Sequence, residues 1–157
     1  MTHSAILILG SNINPEENIK RAFRELASRF TIEKTSNVIE SIAEGGLGPN
    51  FLNAAVKIRT NLSLEELKFN QLRCIEDELG RIRTMDKNAP RTIDIDILIF
   101  DDQVIDPNIW QRIYLAIPLM EIEPQMVNRE TGEDLSEIVK QLEERSSWKA
   151  RPDIKIT

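Results

Sequence analysis

Alternation of apolar and polar positions is strongest just past the middle of the chain. Residues 90–100 read Pro-Arg-Thr-Ile-Asp-Ile-Asp-Ile-Leu-Ile-Phe, with Ile93, Ile95, Ile97 and Ile99 at every second position. That is the period of a strand, and it sets all four isoleucines on one face. Asp94 and Asp96 fall between them and share the other face, roughly 6.6 Å apart along the strand. Phe51 to Thr60 alternates in the same way, with Leu52, Ala54, Val56 and Ile58 on one side and Phe51, Asn53, Lys57 and Arg59 on the other. Ala5 to Leu9 is a short apolar run ending at Gly10-Ser11-Asn12, a buried strand followed by a turn. Residues 31–42 read as one strand centred on Val38 and Ile39.

Three segments carry the helical period instead. Asn14-Pro15-Glu16-Glu17 supplies an N-cap, a proline at the first helical position and acids in the first turn. Ile19, Ala22, Phe23, Leu26, Ala27 and Phe30 then form its core face. Ser63-Leu64-Glu65-Glu66 is a capping box opening a helix to about Leu79, with an apolar stripe of Leu64, Leu67, Leu72, Ile75 and Leu79 and Gly80 as its stop. Leu135, Ile138, Val139 and Leu142 mark a final amphipathic helix. Between these lie a loop from Ala43 to Asn50, a polar segment from Thr84 to Ala89, and an Asp101-Asp102 turn returning as a short strand at Gln103–Ile105. An irregular stretch runs from Pro107 to Tyr114, followed by a helical turn from Pro118 to Glu123. The last dozen residues read as weakly ordered. Strand–helix–strand–strand–helix–strand is the ferredoxin-like βαββαβ order. The expected fold is therefore α+β, a mainly antiparallel sheet with an additional C-terminal strand and helices. Both long helices should lie on one face, leaving the opposite face free for a ligand.

At 157 residues the chain is expected to form a single domain over 1–157. A net charge of −6 makes it a poor general binder of nucleic acid. No apolar run approaches a membrane span, and the N-terminus lacks the basic region of a signal peptide. The single cysteine, Cys74, excludes an intrachain disulfide and fits a reducing, cytoplasmic setting. The only histidine is His3, in an expected frayed terminus, so histidine acid–base chemistry, histidine metal sites and Ser-His-Asp triads lack support. No P-loop motif is present. A monomer is the default, since the assigned core leaves no apolar face unexplained.

The two aspartates need a cation, a basic partner or water, because a lone buried carboxylate is costly. An Asp-x-Asp on a rigid strand can hold Mg²⁺, which takes one or two carboxylates and leaves its other positions to water and phosphate. Arg73, Arg81, Arg83, Lys87 and Arg91 lie within twenty positions of one another, a mixture suited to a metal-bound polyphosphate. The competing reading is an edge strand whose solvated aspartates block edge-to-edge pairing, beside an ordinary charged loop. At Phe51 and Asn53 an aromatic and an amide two apart can stack a flat ring and read its edge, or the Asn can tie down the neighbouring loop.

These stretches together resemble the 6-hydroxymethyl-7,8-dihydropterin pyrophosphokinases of folate biosynthesis. The matching residues are Gly10-Ser11-Asn12, Phe51-Leu52-Asn53-Ala54-Ala55-Val56, Glu76 ahead of Gly80-Arg81-Ile82-Arg83, and Pro90-Arg91-Thr92-Ile93-Asp94-Ile95-Asp96. Arg112-Ile113-Tyr114 before Pro118-Leu119 matches more weakly. They occur in the family's order over about residues 5–145. The resemblance implies transfer of pyrophosphate from ATP, as co-substrate, to the pterin hydroxymethyl group, releasing AMP. It implies that Asp94 and Asp96 hold two Mg²⁺ ions, with Asp96 helping to deprotonate the hydroxyl. Arg81, Arg91 and Arg112 would reach the phosphates, and Glu76 and Arg83 would lie on the nucleotide side. Asn53 would read the pterin edge, Phe51 and Tyr114 would sandwich its ring, and Ser41 would contact it.

The chain departs from the pattern at three places. Asp106-Pro107-Asn108 stands where a Pro-His-Pro-like element is usual, Asn88 where an aromatic is frequent, and Glu40-Ser41-Ile42-Ala43 where a Thr-Pro-containing run is common. These departures motivate an alternative, a divergent relative with lost activity or another heterocyclic substrate. A regulatory or RNA-binding module of the same fold is opposed by the acidic balance and the 5% aromatic content.

Overall fold

The computed structural model describes residues 1–43, 46, 48–85 and 90–157. Readings placed on Lys87 and Asn88, and part of the 43–50 loop, fall outside these residues. Strand β1 (His3–Ser11) is followed by α1 (Pro15–Arg29), β2 (Thr31–Thr35), β3 (Ile39–Ser41) and β4 (Phe51–Thr60). A π-helical segment (Glu66–Leu72) runs into α2 (Arg73–Glu78) and is followed by β5 (Asp94–Phe100) and β6 (Gln103–Val104). A 3₁₀ turn (Pro107–Trp110), α3 (Ile113–Ile122), α4 (Leu135–Glu143) and β7 (Trp148–Ala150) complete the chain. The sheet order is β6-β5-β1-β4-β3-β7, with β2 also pairing β4, and every ladder among the described residues is antiparallel. The expected α+β architecture with extra C-terminal elements is the one observed.

Apolar clusters fill both faces of the sheet. On one face Leu7, Leu9, Val56 and Ile58 pack against Ile19 and Leu26 of α1 and Leu67, Leu72 and Ile75 of the second helical segment. The apolar stripe of that segment steps five positions from Leu67 to Leu72, and the i→i+5 winding of the π-helix brings both onto the core side. The capping box forms reciprocally, Glu66 N–H donating to Ser63 Oγ (3.2 Å) and Ser63 N–H to Glu66 Oε1 (3.3 Å). On the other face Ile6, Ile8 and Ala55 pack under α3 and α4. That face was expected to be free; instead only one end of it is open. Each residue of α3 except Tyr114, Met120 and Glu121 is buried. The helix is apolar on every side, so it has no 3.6 period to read, and Pro118 lies inside it rather than at its start.

Further expectations are corrected. The isoleucines of β5 do not all share a face. The β1–β5 register pairs Leu7 with Ile97 but Ile6 with Ile99, a bulge at Leu98. Ile99 therefore joins the α3 side, while Ile93, Ile95 and Ile97 face α1. The 31–42 segment is two strands, because Ser36 leaves the ladder and its Oγ accepts from Ala55 N–H (2.8 Å). Gly10 and Ser11 belong to β1 rather than to a turn. Asn14 caps α1 by position in the left-handed region (φ 42°), with no side-chain hydrogen bond, and Ala27 is exposed. His3 is not frayed: it starts β1, and its Nδ1 lies 2.5 Å from Asp101 Oδ2. The last dozen residues contribute β7 and bury Ile154 and Ile156 in the α1-side core. The Asp101-Asp102 turn forms as read, with φ of 49° and 64°, the left-handed pair of a type I′ hairpin.

Candidate active site

The open end of the α3-covered face is a cavity of about 220 Å³. Its floor is set by strand register. Gly10 on β1 lies between Asn53 on β4 and Asp94 on β5. With neighbouring strands about 4.8 Å apart, amide and carboxylate stand roughly 10 Å from each other across a residue with no side chain. A Cβ built at Gly10 would sit 3.4 Å from Asn53 Oδ1 and 3.8 Å from Phe51 Cδ1. Glycine here keeps the floor open.

The β3–β4 end is neutral and closed upon itself. Asn53 is buried, and its Nδ2 donates to Ser41 Oγ across the β3–β4 pair (2.7 Å). Phe51 and Tyr114 line the same cavity. Four of the predicted substrate contacts, Ser41, Phe51, Asn53 and Tyr114, are thus brought together from β3, β4 and α3.

The β5 end is a network of charges. Asp94 Oδ1 accepts from Arg81 (2.5 Å) and Oδ2 from Arg91 (3.0 Å). The same Arg81 nitrogen donates to Glu76 Oε2 (2.9 Å), which also accepts from Ile95 N–H (2.8 Å). Glu76 Oε1 accepts from Arg83 (2.5 Å), whose other nitrogen reaches Asp77 (2.7 Å). Glu76 therefore has both oxygens occupied and does not line the cavity; it anchors two arginines to β5. Burial pushes its carboxyl upward, against the pull of Ile95 N–H and Arg81. Asp96 opens to solvent in the cavity, but protein surrounds most of it. Burial, then the charges of Asp94 and Glu76, push its carboxyl up to about 7. Arg81 Nε is buried without a hydrogen-bond partner.

Arg112, predicted to reach phosphate, is the exposed residue preceding α3 and is not part of the cavity lining. Three contributors had no assigned role from sequence. Asp106 and Asn108 line the cavity, and Asp106 adds to the negative field on Asp96. Asn12 is buried and joins two segments: its Oδ1 accepts from Arg91 N–H (2.6 Å) and its Nδ2 donates to Pro49 O (3.2 Å). An asparagine closing the Gly10-Ser11-Asn12 end of an apolar strand was the available signal, since such an amide must find several partners.

The donor set fits Mg²⁺. Among the described residues no cluster of three or more His, Cys, Asp or Glu could enclose a metal ion. Two neighbouring strand carboxylates in an open cavity suit an ion that keeps water and phosphate in its other positions.

The family model described as 7,8-dihydro-6-hydroxymethylpterin-pyrophosphokinase matches residues 6–124. A protein of Synechocystis sp. named 2-amino-4-hydroxy-6-hydroxymethyldihydropteridine pyrophosphokinase is 31% identical over 98% of this chain and 84% of its own length. One of the same name from Bacillus subtilis is 34% identical over 84% of this chain and 85% of its own. The fold is similar to the wild-type HPPK-DHPS of Plasmodium falciparum crystallised with pteroate (TM-score 0.74, 13% identity). That likeness covers 92% of this chain but only 45% of the Plasmodium chain. This chain belongs to the 7,8-dihydro-6-hydroxymethylpterin-pyrophosphokinase family.

Proposed function

We propose how the cavity divides the work of the family's reaction. The chain transfers pyrophosphate from ATP to 6-hydroxymethyl-7,8-dihydropterin in folate biosynthesis, giving the pterin diphosphate and AMP. The observation that carries the division is the row Asn53–Gly10–Asp94, an amide and a carboxylate about two strand spacings apart in one cavity. The cavity is smaller than the ~300–1,000 Å³ of drug-sized sites, which suits a bicyclic ring with the triphosphate lying outside it.

In this reading Asn53 and Ser41 hydrogen-bond the pterin edge, while Phe51 and Tyr114 hold its ring faces. The hydroxymethyl oxygen then points across β1 toward Asp94 and Asp96. Asp94 and Asp96 would hold Mg²⁺, two ions in this proposal, which when bound would supply charge neutralisation for an in-line displacement at the β-phosphorus. Asp96 takes the hydroxyl proton as the oxygen attacks, and the bond from the β-phosphorus to the α,β-bridging oxygen breaks to release AMP. Arg81 and Arg91, now on Asp94, turn to the phosphates, and the unpartnered Arg81 Nε–H is a donor ready for them. Glu76 keeps Arg81 and Arg83 in place, and Arg112 closes on the nucleotide from outside the cavity.

The same proposal takes residues 1–157 as a single pyrophosphokinase domain, monomeric and cytoplasmic, with no nucleic-acid partner. Its support is the net charge of −6, the lone cysteine, and the lack among the described residues of any helix long and apolar enough to cross a membrane. Asp106 and Asn108 in the cavity favour a second reading, a relative with altered nucleotide handling or a different heterocycle.

Incubation with ATP, Mg²⁺ and 6-hydroxymethyl-7,8-dihydropterin tests both. AMP matched one-to-one by pterin diphosphate is expected, and chelation with EDTA should abolish it. Pterin binding without AMP would favour the second reading.

A further inference from the structure

The C-terminal strand lies beyond the region matched by the family model, which ends at residue 124. β7 pairs with β3 in register, setting Trp148 opposite Ser41 and Lys149 opposite Glu40. Immediately after it, Arg151 N–H donates to Val38 O (3.0 Å), and the Arg151 guanidinium donates to Glu40 Oε1 (2.7 Å). The other Glu40 oxygen accepts from Asn50 Nδ2 (3.0 Å), the residue directly before Phe51. Asp153 grips the remaining guanidinium nitrogens at 3.0 and 2.9 Å, fixing the plane of the fork. Ile154 and Ile156, buried in the core, pin the tail. Hydrogen bonds from Asn50 and then Arg151 hold the Glu40 carboxyl below the usual carboxylate range.

This clasp sits behind the sheet. Glu40 alternates with Ser41, which faces the cavity, and Asn50 adjoins Phe51, which lines it. The two cavity strands are thus tied together where they enter and leave the 42–50 loop, by a residue far away in sequence. We infer that Arg151 is a positioning residue for the heterocycle end of the cavity, fixing Ser41, Phe51 and Asn53 through Glu40 and Asn50. The inference rests on the pterin reading given above. Arg151 touches neither substrate, and its effect passes through the spacing of β3 and β4 alone. The hydrogen bonds of the clasp run among Arg151, Asp153, Glu40 and Asn50. Asn12 ties the neighbouring Pro49 O to Arg91 N–H without Arg151, so the nucleotide end should be largely spared.

The test compares wild-type protein with Arg151→Ala, Arg151→Lys and Asp153→Asn. KM for the pterin and for ATP is determined separately from AMP release, and pterin affinity by fluorescence titration. Arg151→Ala should raise KM and Kd for the pterin about tenfold, below the ~100-fold cost of displacing reacting groups by 1 Å. KM for ATP and kcat should stay within twofold. Arg151→Lys, which keeps one charged hydrogen bond to Glu40, should recover most of the loss, and Asp153→Asn should change little. Circular dichroism spectra and melting curves accompany each variant. If Arg151→Ala does not fold, Glu40→Gln carries the same expectation. Equal rises in both KM values, a fall in kcat alone, or no change would overturn the inference. Absence of pterin binding by the wild-type protein would instead overturn the function on which it rests.

Discussion

The two ends of the cavity are built on opposite principles. At the β3–β4 end a buried amide and a hydroxyl satisfy each other at 2.7 Å, between strands held in register. That end is neutral and already in the shape it needs. At the β5 end three carboxylates and three guanidinium groups share a small volume, with Asp94 and Glu76 held by arginines and Asp96 pushed up to about 7. Such a set is balanced only while every member keeps a partner. A rigid neutral end recognises a substrate whose shape does not change. A charged end that can trade partners serves a group whose charge and geometry do change during reaction. Gly10 is the joint between them.

The largest blow to this contrast is Asp94→Ala. It removes a carboxylate from the β5 end and takes one partner each from Arg81 and Arg91. AMP formation should fall about 10³-fold, the scale of losing a preorganised electrostatic group, with pterin affinity within threefold of wild type. A parallel collapse of pterin binding would show the two ends to be one unit. Asn53→Ala strikes the other end and leaves Ser41 Oγ short of its donor. A rise of about 30-fold in pterin Kd, equivalent to ~2 kcal/mol, is expected by titration, with ATP affinity preserved.

Gly10→Ala tests the joint. Its backbone needs no left-handed conformation, so the fold should stand. The added methyl, 3.4 Å from Asn53 Oδ1, should raise KM for the pterin about fivefold and leave KM for ATP nearly unchanged.

The smallest effect is thermal and sharpens the charge argument. Folding raises the Asp96 carboxyl from 3.8 to about 7, so the folded state binds more protons than the unfolded state between those values. Stability from this group is therefore lost as pH rises from about 4 to 7. In EDTA, Asp96→Asn should melt a few degrees higher than wild type at pH 8, and the difference should shrink toward pH 4. A variant melting lower at pH 8 would mean that Arg81 and Arg91 already neutralise Asp96 fully.

Much of the site was legible because it lies on segments with strict local periods. Asn53 and Phe51 sit on a ten-residue strand, and Asp94 and Asp96 on one of seven, so alternation alone assigned their faces. Glu76 was read as a nucleotide-side residue, yet it does not line the cavity. Only the fold shows that Arg81, Arg83 and Ile95 N–H take up its oxygens. Ile99 was misread because a bulge leaves no mark on the alternation that it interrupts. The C-terminal tail was misread because β7 has three residues and exists only through pairing with β3. Ile154 and Ile156 alternate in the sequence, but two apolar positions are too few to mark a buried tail.

By itself the sequence determined the strands around Ala5–Leu9, Phe51–Thr60 and Asp94–Phe100, the helices after Asn14, Ser63 and Asp134, which carboxylates share a face, and which family the chain resembles. All of these follow from interactions within a turn or two of backbone or from short motifs. Tertiary structure decided that α3 and α4 cover most of the second sheet face, leaving the cavity at one end. It also put Gly10 between Asn53 and Asp94 and locked Arg151 behind β3 and β4. These depend on register and packing between residues 40 to 110 positions apart, such as Gly10 with Asn53 and Glu40 with Arg151. No local pattern encodes such pairings, because their free energy appears only once the partner strand is in place.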